Sequence, residues 1–412
     1  MCLLIAVNQF GFGAIVPVVA LYAEGFGVSQ TAIGLTIAVY GLARFLVNVP
    51  AGHLADRFGR RTTLAAGGLT TVVGASLCAV APDYPIFLIA RFIAGAGAAC
   101  VLTGGQIVLA DISSPHNRGR MMAVYQGVFL FSVGAGAVPG GFLAARFGLA
   151  SPFWANAALA GAAAVLAWFA VPETRDRRSG PAGAGSVVPS VKPPRIGAQW
   201  RTLAATDGFL LISLVSFAAF FARTGALFNV IPLLADREIG LATDQIGIGL
   251  GMSSIVVLVL SYPSGALVDR FGRKAVIVPS TILSGAGMLA FGFAGSFGAF
   301  LLACALWSAA SGVSSAAPAA YAADIAPSGM TAAALGTYRT IADFGYVAGP
   351  LALGALADLI SADAALALTA ALLVGTGAAF ARFAPETLPG PDRPTGQRRA
   401  RGGRSAPSGR AP

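Results

Sequence analysis

The most restrictive feature of this chain is a charged ten-residue block that occurs twice. Residues 52–61 read GHLADRFGRR and residues 265–274 read GALVDRFGRK, 213 positions apart (265 − 52). Each block lies between two apolar stretches long enough to cross a bilayer. A soluble core has no use for charges in such a position. The pattern therefore predicts a membrane protein that contains two copies of one helical unit.

The repeat extends well beyond this block. At the same offset of 213, four further matches are Asp111-Ile112 with Asp324-Ile325, Tyr125 with Tyr338, Gly136 with Gly349, and Pro172-Glu173-Thr174 with Pro385-Glu386-Thr387. A constant spacing over more than a hundred residues indicates duplication of the whole unit. We predict an N-terminal six-helix bundle over residues 1–172 and a C-terminal one over residues 207–384.

Composition and periodicity favour an all-α membrane protein. The chain is 56% hydrophobic and 11% charged, whereas soluble domains carry about 25% charge. No apolar–polar alternation suggests a barrel, and only helices satisfy the backbone over such unbroken apolar runs. We expect twelve transmembrane helices, at 2–23, 30–54, 63–81, 84–110, 119–145, 150–171, 207–235, 243–267, 276–294, 297–323, 331–357 and 363–382.

Basic residues predict the orientation of the chain. Arginine and lysine concentrate in the two motif loops, in residues 173–206 and in residues 385–412, whereas the opposite loops are mainly acidic. By the positive-inside rule the basic side is cytoplasmic, with both termini there, in a multi-pass inner (plasma) membrane protein. The net charge of +10 is then a consequence of topology, not a nucleic-acid footprint. We expect residues 173–206 to be a flexible linker and 385–412 a disordered tail.

The doubled block also resembles a known motif. The pattern G-x-L-x-D-R-x-G-R-[RK] is similar to the loop motif between helices 2 and 3 of major facilitator superfamily transporters, which recurs between helices 8 and 9. The resemblance covers nearly the whole chain. It implies a twelve-helix secondary transporter in which this motif forms a cytoplasmic gate between the bundles.

The resemblance assigns gate roles to individual residues of this chain. The resemblance implies that Arg60 pairs with Asp111 and that Arg273 pairs with Asp324. We expect Gly52 and Gly265 to let a neighbouring helix approach closely, and Gly59 and Gly272 to end helices in the left-handed helical geometry. The alternative is that the charges only determine topology. The full set of gate candidates is Gly52, Asp56, Arg57, Gly59, Arg60, Asp111, Gly265, Asp269, Arg270, Gly272, Arg273 and Asp324.

A glycine-rich segment on the fifth helix bears on the direction of transport. It resembles the superfamily's antiporter motif G-P-x-x-G-G at Gly136, Gly140 and Gly141, but Ala137 replaces the expected proline, and a proline stands instead at Pro139. The equivalent place on the eleventh helix holds Gly349-Pro350. The resemblance favours proton-coupled export. The alternative is a kinked, tightly packed helix that says nothing about direction.

Ionisable residues inside predicted membrane helices are functional candidates. These are Arg44, Arg91, Arg223, Arg339 and Asp343. Arg91 resembles a helix-4 signature, R-x-x-x-G-x-G, that the family links to proton transfer. Arg339 and Asp343 are four residues apart and should pair on one helical face. For each arginine the alternative is a satisfied packing pair or a side chain that snorkels to the interface. Uncharged candidates for lining the cavity are Asn8, Gln9, Asn48, Gln106, Tyr125, Gln126, Asn229 and Tyr338.

These observations favour proton-coupled efflux of a small molecule by alternating access. The substrate is expected to be neutral or anionic, because four deep arginines outnumber one aspartate. Alternatives are proton-linked uptake or facilitated diffusion of a nutrient, and a transporter-like receptor. We predict no enzyme activity, metal site or cofactor, since the sequence contains no phosphate-binding loop or nucleophile–base pattern. We also expect a monomer, and a short N-terminal tail missing before Met1.

Overall fold

The computed structural model describes residues 1–112, 118–173, 196–314, 317–327 and 330–386. Its secondary structure there is helical throughout. The helices are α1 (Cys2–Ile15), α2 (Val19–Glu24), α3 (Gln30–Phe58), α4 (Arg60–Ala79), α5 (Tyr84–Ile112), α6 (Arg118–Phe147), α7 (Ser151–Ala170), α8 (Ile196–Ala204), α9 (Phe209–Phe221), α10 (Ile231–Arg237), α11 (Thr243–Phe271), α12 (Arg273–Gly292), α13 (Phe297–Val313), α14 (Ala317–Asp324), α15 (Thr331–Leu359) and α16 (Ala362–Phe383).

Eleven helical stretches of the described chain are long and apolar enough to cross a membrane. The pair α1 and α2 supplies one more crossing, broken where Pro17 removes a backbone donor. This break corrects the continuous helix predicted over residues 2–23. The seventh crossing is also irregular, because a π-helical segment, Ala222–Val230, joins α9 to α10. Such segments are rare and often lie at functional sites.

The helices that flank the motif are longer than the apolar runs predicted. We expected helix ends at residues 54 and 267, but α3 continues to Phe58 and α11 to Phe271. The following helices begin directly after one glycine, at Arg60 and Arg273. Hydropathy alone misplaced these ends, because charged side chains extend a helix into the polar interface, where they remain solvated.

Helices inside each bundle are in contact at small residues. A Cβ on Gly97 of α5 would come within 2.5 Å of the Thr71 backbone nitrogen on α4, and one on Gly67 would come within 2.6 Å of the Cys100 Cβ. Lipid is as apolar as leucine, so dispersion between closely packed backbones must hold these helices together. Glycine is what allows α4 and α5 to approach this closely.

The two bundles, α1–α7 and α9–α16, meet along two helix pairs. Gly34 of α3 lies against the Pro350 carbonyl of α15, and Gly141 of α6 lies against Thr243 at the start of α11. We call the membrane face with Gly59 and Gly272 the motif side, and the face with Glu24 and Asp358 the far side. The contacts between bundles extend from the far side towards mid-membrane.

A short helix corrects the prediction of a flexible linker over residues 173–206. Helix α8 occupies its last part, and Leu203 is fully buried against Phe209 and Ala334. Apolar burial therefore docks this part of the linker onto the second bundle. Residues 174–195 of the predicted linker and 387–412 of the predicted tail lie outside the described part of the chain.

We expect Gly97→Ala to lower the melting temperature of the purified protein. The added methyl would collide with the α4 backbone, and overpacking of this kind costs about 1–3 kcal/mol. The matched control is Gly375→Ala on α16, where a Cβ would meet nothing within 4 Å. Thermal unfolding in detergent measures the melting temperatures of both variants. Equal melting temperatures would contradict the proposed close packing of α4 and α5.

Candidate functional site

Each motif loop reduces to one glycine between two long helices. Gly59 has φ 98° and ψ 157°, and Gly272 has φ 100° and ψ 157°. The positive φ is as predicted, but the ψ places both in a region that is essentially restricted to glycine, not in the left-handed helical region. The backbone thereby turns within a single residue from one membrane-crossing helix to the next.

A glutamate caps the helix that follows each glycine. The Glu173 carboxylate accepts hydrogen bonds from the backbone N–H groups of Arg60 (3.0 Å) and Arg61 (3.2 Å) at the start of α4. A carboxylate at a helix N-terminus satisfies backbone donors that have no partner within the helix, and it complements the helix dipole. It also ties the end of the sixth crossing to the start of the third.

The second copy repeats this cap. The Glu386 carboxylate accepts from the backbone N–H groups of Arg273 and Lys274, each at 3.2 Å. Sequence reasoning identified the repeated Pro-Glu-Thr segment but assigned it no role. The signal was its recurrence at the offset of the loop motif. The partners could not be deduced, because more than a hundred residues separate each glutamate from the helix it caps.

The two arginine–aspartate pairs form inside the bundles. Arg60 Nε lies 3.0 Å from Asp111 Oδ2, and Arg273 Nε lies 2.9 Å from Asp324 Oδ2. The first pair is nearly buried, with side chains 3% and 8% exposed, while the second is 20% and 39% exposed. Each pair joins helices of one bundle. Neither of these two pairs links the bundles to each other.

The remaining gate candidates are less engaged in this conformation. Arg57 and Arg270 are exposed, and each guanidinium lies 5.2 Å from the ring centroid of the next residue, a phenylalanine. A Cβ on Gly52 would meet nothing within 4 Å. Among the described residues, the close helix approach expected at Gly52 is therefore not present in this conformation. The side-chain surroundings of Asp56, Gly265 and Asp269 lie outside the described part of the structure.

The antiporter-like glycines on α6 allow close packing against two different helices, α1 and α11. Gly136 faces the Phe10 carbonyl and Gly140 the Ala14 carbonyl, so both bring α1 against α6. Gly141 instead faces α11 of the other bundle, and Pro139 lies inside α6. The motif resemblance therefore falls on a packing seam that continues into the contact between bundles.

The equivalent residues on α15 have the same double role. A Cβ on Gly349 would come within 2.5 Å of the Phe221 carbonyl oxygen on α9, inside the bundle. The Pro350 carbonyl accepts a hydrogen bond from Asn229 Nδ2 at 3.3 Å and also faces Gly34 of the first bundle. A proline within α15 leaves the carbonyl one turn earlier without its helical donor.

A basic cluster lies where α3 meets α15. The Arg44 guanidinium lies 5.7 Å from the ring centroid of Tyr346, across the boundary between bundles. Arg223, in the π-helical segment, is within electrostatic range of Tyr346 and of Arg339. The described side chains include no acidic group within 4.0 Å of Arg44 or Arg223. These arginines are therefore able to attract an anionic or hydrogen-bond-accepting ligand.

Arg91 and the Arg339–Asp343 pair occupy different surroundings. Arg91 is 3% exposed inside the first bundle, donates to the Thr36 carbonyl at 3.2 Å and lies over the Tyr40 ring at 4.6 Å. The packing interpretation is therefore favoured for Arg91. Arg339 Nε lies 3.2 Å from Asp343 Oδ1 as expected, but the side chains are 50% and 28% exposed. This pair is therefore only partly covered by neighbouring side chains.

Two tyrosines that the sequence did not single out as candidates, Tyr40 and Tyr346, also belong to this region. Tyr40 stacks on Phe12 with centroids 5.1 Å apart and lies in range of Arg44 and Arg91. Tyr346 fits against α3 because Gly41 has no side chain; a Cβ there would come within 2.5 Å of the ring. The one available signal was that Tyr346 is seven residues, or two turns, after Arg339 on α15.

The uncharged polar candidates divide between internal contacts and buried acceptors. Tyr338 accepts from Ser216 Oγ at 2.5 Å, and Asn48 accepts from Thr103 at 3.1 Å. The side-chain oxygens of Asn8, Tyr125 and Asn229 are buried without a hydrogen-bond partner among the described residues. Gln106 is exposed, Asn8 donates to Gln9, and the side chain of Gln126 lies outside the described part.

Hydrogen bonds close the far side. The Asp358 carboxylate on α15 accepts from the backbone N–H groups of Gln30 and Thr31, each at 2.7 Å, and from the Thr31 hydroxyl at 2.5 Å. It therefore caps a helix of the opposite bundle. Glu24 and Arg237 form an ion pair, also between the bundles. The far side is thus bonded across the boundary, whereas the arginine–aspartate pairs of the motif side are internal.

We expect Glu173→Ala to lower the melting temperature, because two backbone donors at the start of α4 lose a charged acceptor. Losses of helix caps cost about 0.5–2 kcal/mol. Glu173→Gln retains one acceptor oxygen, so its melting temperature should lie between those of the native protein and Glu173→Ala. The matched control, Glu238→Ala, removes an exposed carboxylate on the far side. If thermal unfolding gave the same value for both alanine variants, the proposed stabilising role of the cap would be wrong.

Comparisons with known proteins place these features in a family. A model described as Major Facilitator Superfamily matches residues 1–236 and 212–410. The chain is 23% identical over 357 residues to an uncharacterised transporter of this type from Methanocaldococcus jannaschii, covering 86% of this chain and 89% of the relative. It is 28% identical over 297 residues to the class C tetracycline resistance protein of Escherichia coli, covering 70% and 72%.

Solved structures show the same fold at lower identity. A bacterial homologue of the human lysosomal transporter Spinster, in an inward-facing and occupied conformation, superposes with a TM-score of 0.76 at 15% identity, covering 92% of this chain and 94% of that one. A D-xylose–proton symporter superposes with a TM-score of 0.73 at 19% identity, covering 94% and 98%. These matches confirm the predicted all-α fold of two bundles.

Proposed function

The chain belongs to the Major Facilitator Superfamily and is a membrane transporter, not an enzyme, and we propose that it exports a neutral or anionic small molecule in exchange for protons. The observation that carries this proposal is the basic cluster of Arg44 and Arg223 around Tyr346, at the boundary between the bundles. Transporters of this kind bind substrate near mid-membrane, between the repeats.

Export is favoured over uptake by the antiporter-like segment on α6 and by relatives such as the tetracycline resistance protein. The D-xylose–proton symporter supports the fold alone, given its 19% identity. The basic loops on the motif side favour a cytoplasmic position for that side under the positive-inside rule. With bonds closing the far side, the conformation then corresponds to an inward-facing state.

The proposed gate follows from where the pairs lie. Arg60–Asp111 and Arg273–Asp324 are internal to the bundles, so they stiffen each bundle and orient the motif loop. The contact between bundles on the motif side must then involve other groups of the motif. We assign this role to Asp56 and Asp269 with the exposed Arg57 and Arg270, engaged when the far side opens. Exposed ion pairs are individually weak, which suits a contact that breaks in each cycle.

Coupling to protons requires a group that changes protonation during the cycle. Among the acids of α15, Asp343 lies closest to the basic cluster and is paired with Arg339. Protonation of Asp343 would release Arg339, and substrate binding nearby would be sensitive to that release. We therefore propose Asp343 as the coupling residue.

Everted membrane vesicles test both coupling and direction. We expect acid-inside vesicles with the native protein to accumulate substrate from a panel of organic anions, neutral compounds and cations. Asp343→Asn should abolish accumulation driven by the pH gradient while retaining exchange of labelled for unlabelled substrate. Asp363→Asn, on the far side, is the control. Full gradient-driven accumulation by Asp343→Asn would remove the coupling assignment, and gradient-independent equilibration by the native protein would favour facilitated diffusion.

The basic cluster predicts the charge of the substrate. In a cysteine-free background, we expect bound substrate to protect Arg44→Cys and Arg223→Cys from thiol reagents, whereas Arg57→Cys on the motif loop should stay reactive. Organic anions should compete for this protection, because they can pair with an arginine that has no acidic partner among the described side chains. Competition by quaternary ammonium compounds alone would show that the site binds cations.

Asp358 is expected to control the balance between the two orientations of the bundles. Asp358→Ala removes three hydrogen bonds that join α15 to the start of α3. We expect at least about a tenfold shift towards the outward-facing state, since each hydrogen bond to a charged group contributes about 1.5–3 kcal/mol. The distance between spin labels at Gly27 and Leu359 reports the separation of the two bundles on the far side. Asp363→Ala, which removes another far-side carboxylate, is the control. An unchanged distance distribution would exclude a role for Asp358 in closure.

A further inference from the structure

A groove of about 620 Å3 runs along the outer surface of the second bundle, between α11, α12 and α13. Among the described residues that line the groove, Ser280 is the one with a polar side chain, and its hydroxyl donates back to the Val276 carbonyl of its own helix at 2.6 Å. Its rim includes Phe271, Leu283 and Leu306, which are 57%, 59% and 50% exposed. Exposed apolar side chains on membrane-crossing helices indicate that the groove faces lipid.

The duplicated sequence explains why the second bundle has this groove. In the first bundle, α4 and α5 are held together at Gly67 and Gly97. The residues at the same offset of 213 are Ser280 on α12 and Ala310 on α13, and both line the floor of the groove. Side chains at these two positions would not fit at the separation that α4 and α5 adopt.

One close contact is shared by both copies and fixes the shape of the groove. Gly74 lies against the Ala94 backbone on α5, and its counterpart Gly287 would place a Cβ 2.8 Å from the Trp307 Cα on α13. The helices α12 and α13 therefore touch at Gly287, and the groove lies on the motif side of this contact. Pro279, which has no backbone donor, lies inside α12 and lines the groove.

The dimensions suit one hydrocarbon chain of a single leaflet. From Gly287 to Val276 is eleven residues, or about 16 Å along a helix. The hydrocarbon core of a bilayer is about 30 Å thick, so the groove is about one leaflet deep. A volume of about 620 Å3 also lies within the range of pockets that enclose small molecules.

A cation stands at the motif-side end of the groove. Arg270 is exposed, and its guanidinium lies 5.2 Å from the ring centroid of Phe271, which forms the rim there. The nearby Lys274 ammonium donates to the Ala384 carbonyl, and Arg273 pairs with Asp324. At this depth a guanidinium meets lipid headgroups, and basic residues attract the anionic ones.

We infer that this groove is a binding site for an acidic phospholipid of the motif-side leaflet. One acyl chain lies between α12 and α13, and the phosphate lies beside Arg270. The site is distinct from the basic cluster at the bundle boundary and does not depend on the proposed direction or substrate of transport. Because the groove lies beside α11, which carries the second motif, an occupied groove would brace the helix that must move when the bundles rock.

Photo-crosslinking to the full chain in lipid nanodiscs tests the inference. The probes are phosphatidylglycerol and phosphatidylcholine with identical photoactivatable acyl chains, and labelled peptides are identified by mass spectrometry. We expect phosphatidylglycerol to label α12 and α13 about fivefold more than phosphatidylcholine, as an attraction of about 1 kcal/mol per basic residue implies. Arg270→Gln should remove this preference, whereas Arg57→Gln at the equivalent position of the first copy should keep it.

Three further variants separate groove occupancy from general lipid contact. Ala286→Phe places a ring in the groove from its exposed rim and should abolish most labelling of α12 and α13. Its counterpart Val73→Phe on α4 is the matched control and should leave labelling unchanged. Ser280→Gly combined with Ala310→Gly restores the residues of the first copy and should reduce labelling as the helices close.

Three outcomes would overturn the inference. The first is equal labelling by the two lipids in the native protein. The second is an equal loss of labelling in Ala286→Phe and Val73→Phe, which would indicate a general effect on the lipid boundary. The third is displacement of the label by a single-chain carboxylate but not by excess phospholipid, which would identify a free amphiphile as the occupant. Melting temperatures of all variants exclude unfolding as the cause.

Discussion

Close contact between helix backbones at glycine is the interaction on which this structure depends. Gly13 lies against Val133 between α1 and α6, and Gly345 lies against Phe217 between α15 and α9. Water supplies no driving force between helices in lipid, so contact area and dispersion must do so. The same type of contact, Gly34 against Pro350, also joins the two bundles. The interior of each bundle and the boundary between the bundles therefore depend on the same kind of glycine contact.

What distinguishes the boundary from the interiors is the placement of directional bonds. On the motif side, Glu173, Glu386 and the two arginine–aspartate pairs all act within a bundle. On the far side, Asp358 and the Glu24–Arg237 pair act between bundles. In the proposed transport cycle, bonds within a bundle would persist when the bundles rock, whereas bonds between the bundles would break. Under that proposal, this distribution would allow each bundle to move as a unit and would confine the exchange of partners to a small set of surface groups.

The architecture could be predicted from the sequence because duplication leaves a signal that needs no structure. One offset of 213 relates the motif, the capping glutamates and the partners Asp111 and Asp324. The Arg60–Asp111 pair was expected from a family resemblance. Glu173 was visible as part of the repeat, but its role depended on the path of the four helices, α4 to α7, that separate it from the start of α4. Spacing along a chain does not determine which helix ends meet.

Other features escaped prediction because they depend on neighbours from the other bundle. Tyr346 looks like one more aromatic residue in an apolar helix, and only Gly41 on α3 makes it a boundary residue. Gly52 was expected to be a contact, but contact there requires the bundles to approach on the motif side, which this conformation does not provide. Hydropathy predicted the existence of the crossings, yet it missed the break at Pro17 and the π-helical segment before Pro232. Both are backbone effects.

Divergence between the two copies shows how little change is needed to give a repeated scaffold a new surface. The two bundles keep the caps, the ion pairs and the Gly74 and Gly287 contacts. Replacement of the glycines at positions 67 and 97 of the first copy by serine and alanine in the second adds two small side chains. Where two helix backbones are in contact, those few atoms force the helices apart over about the depth of one bilayer leaflet. Close packing leaves no free volume for the added atoms. The close packing that holds each bundle together therefore converts a local substitution into a groove.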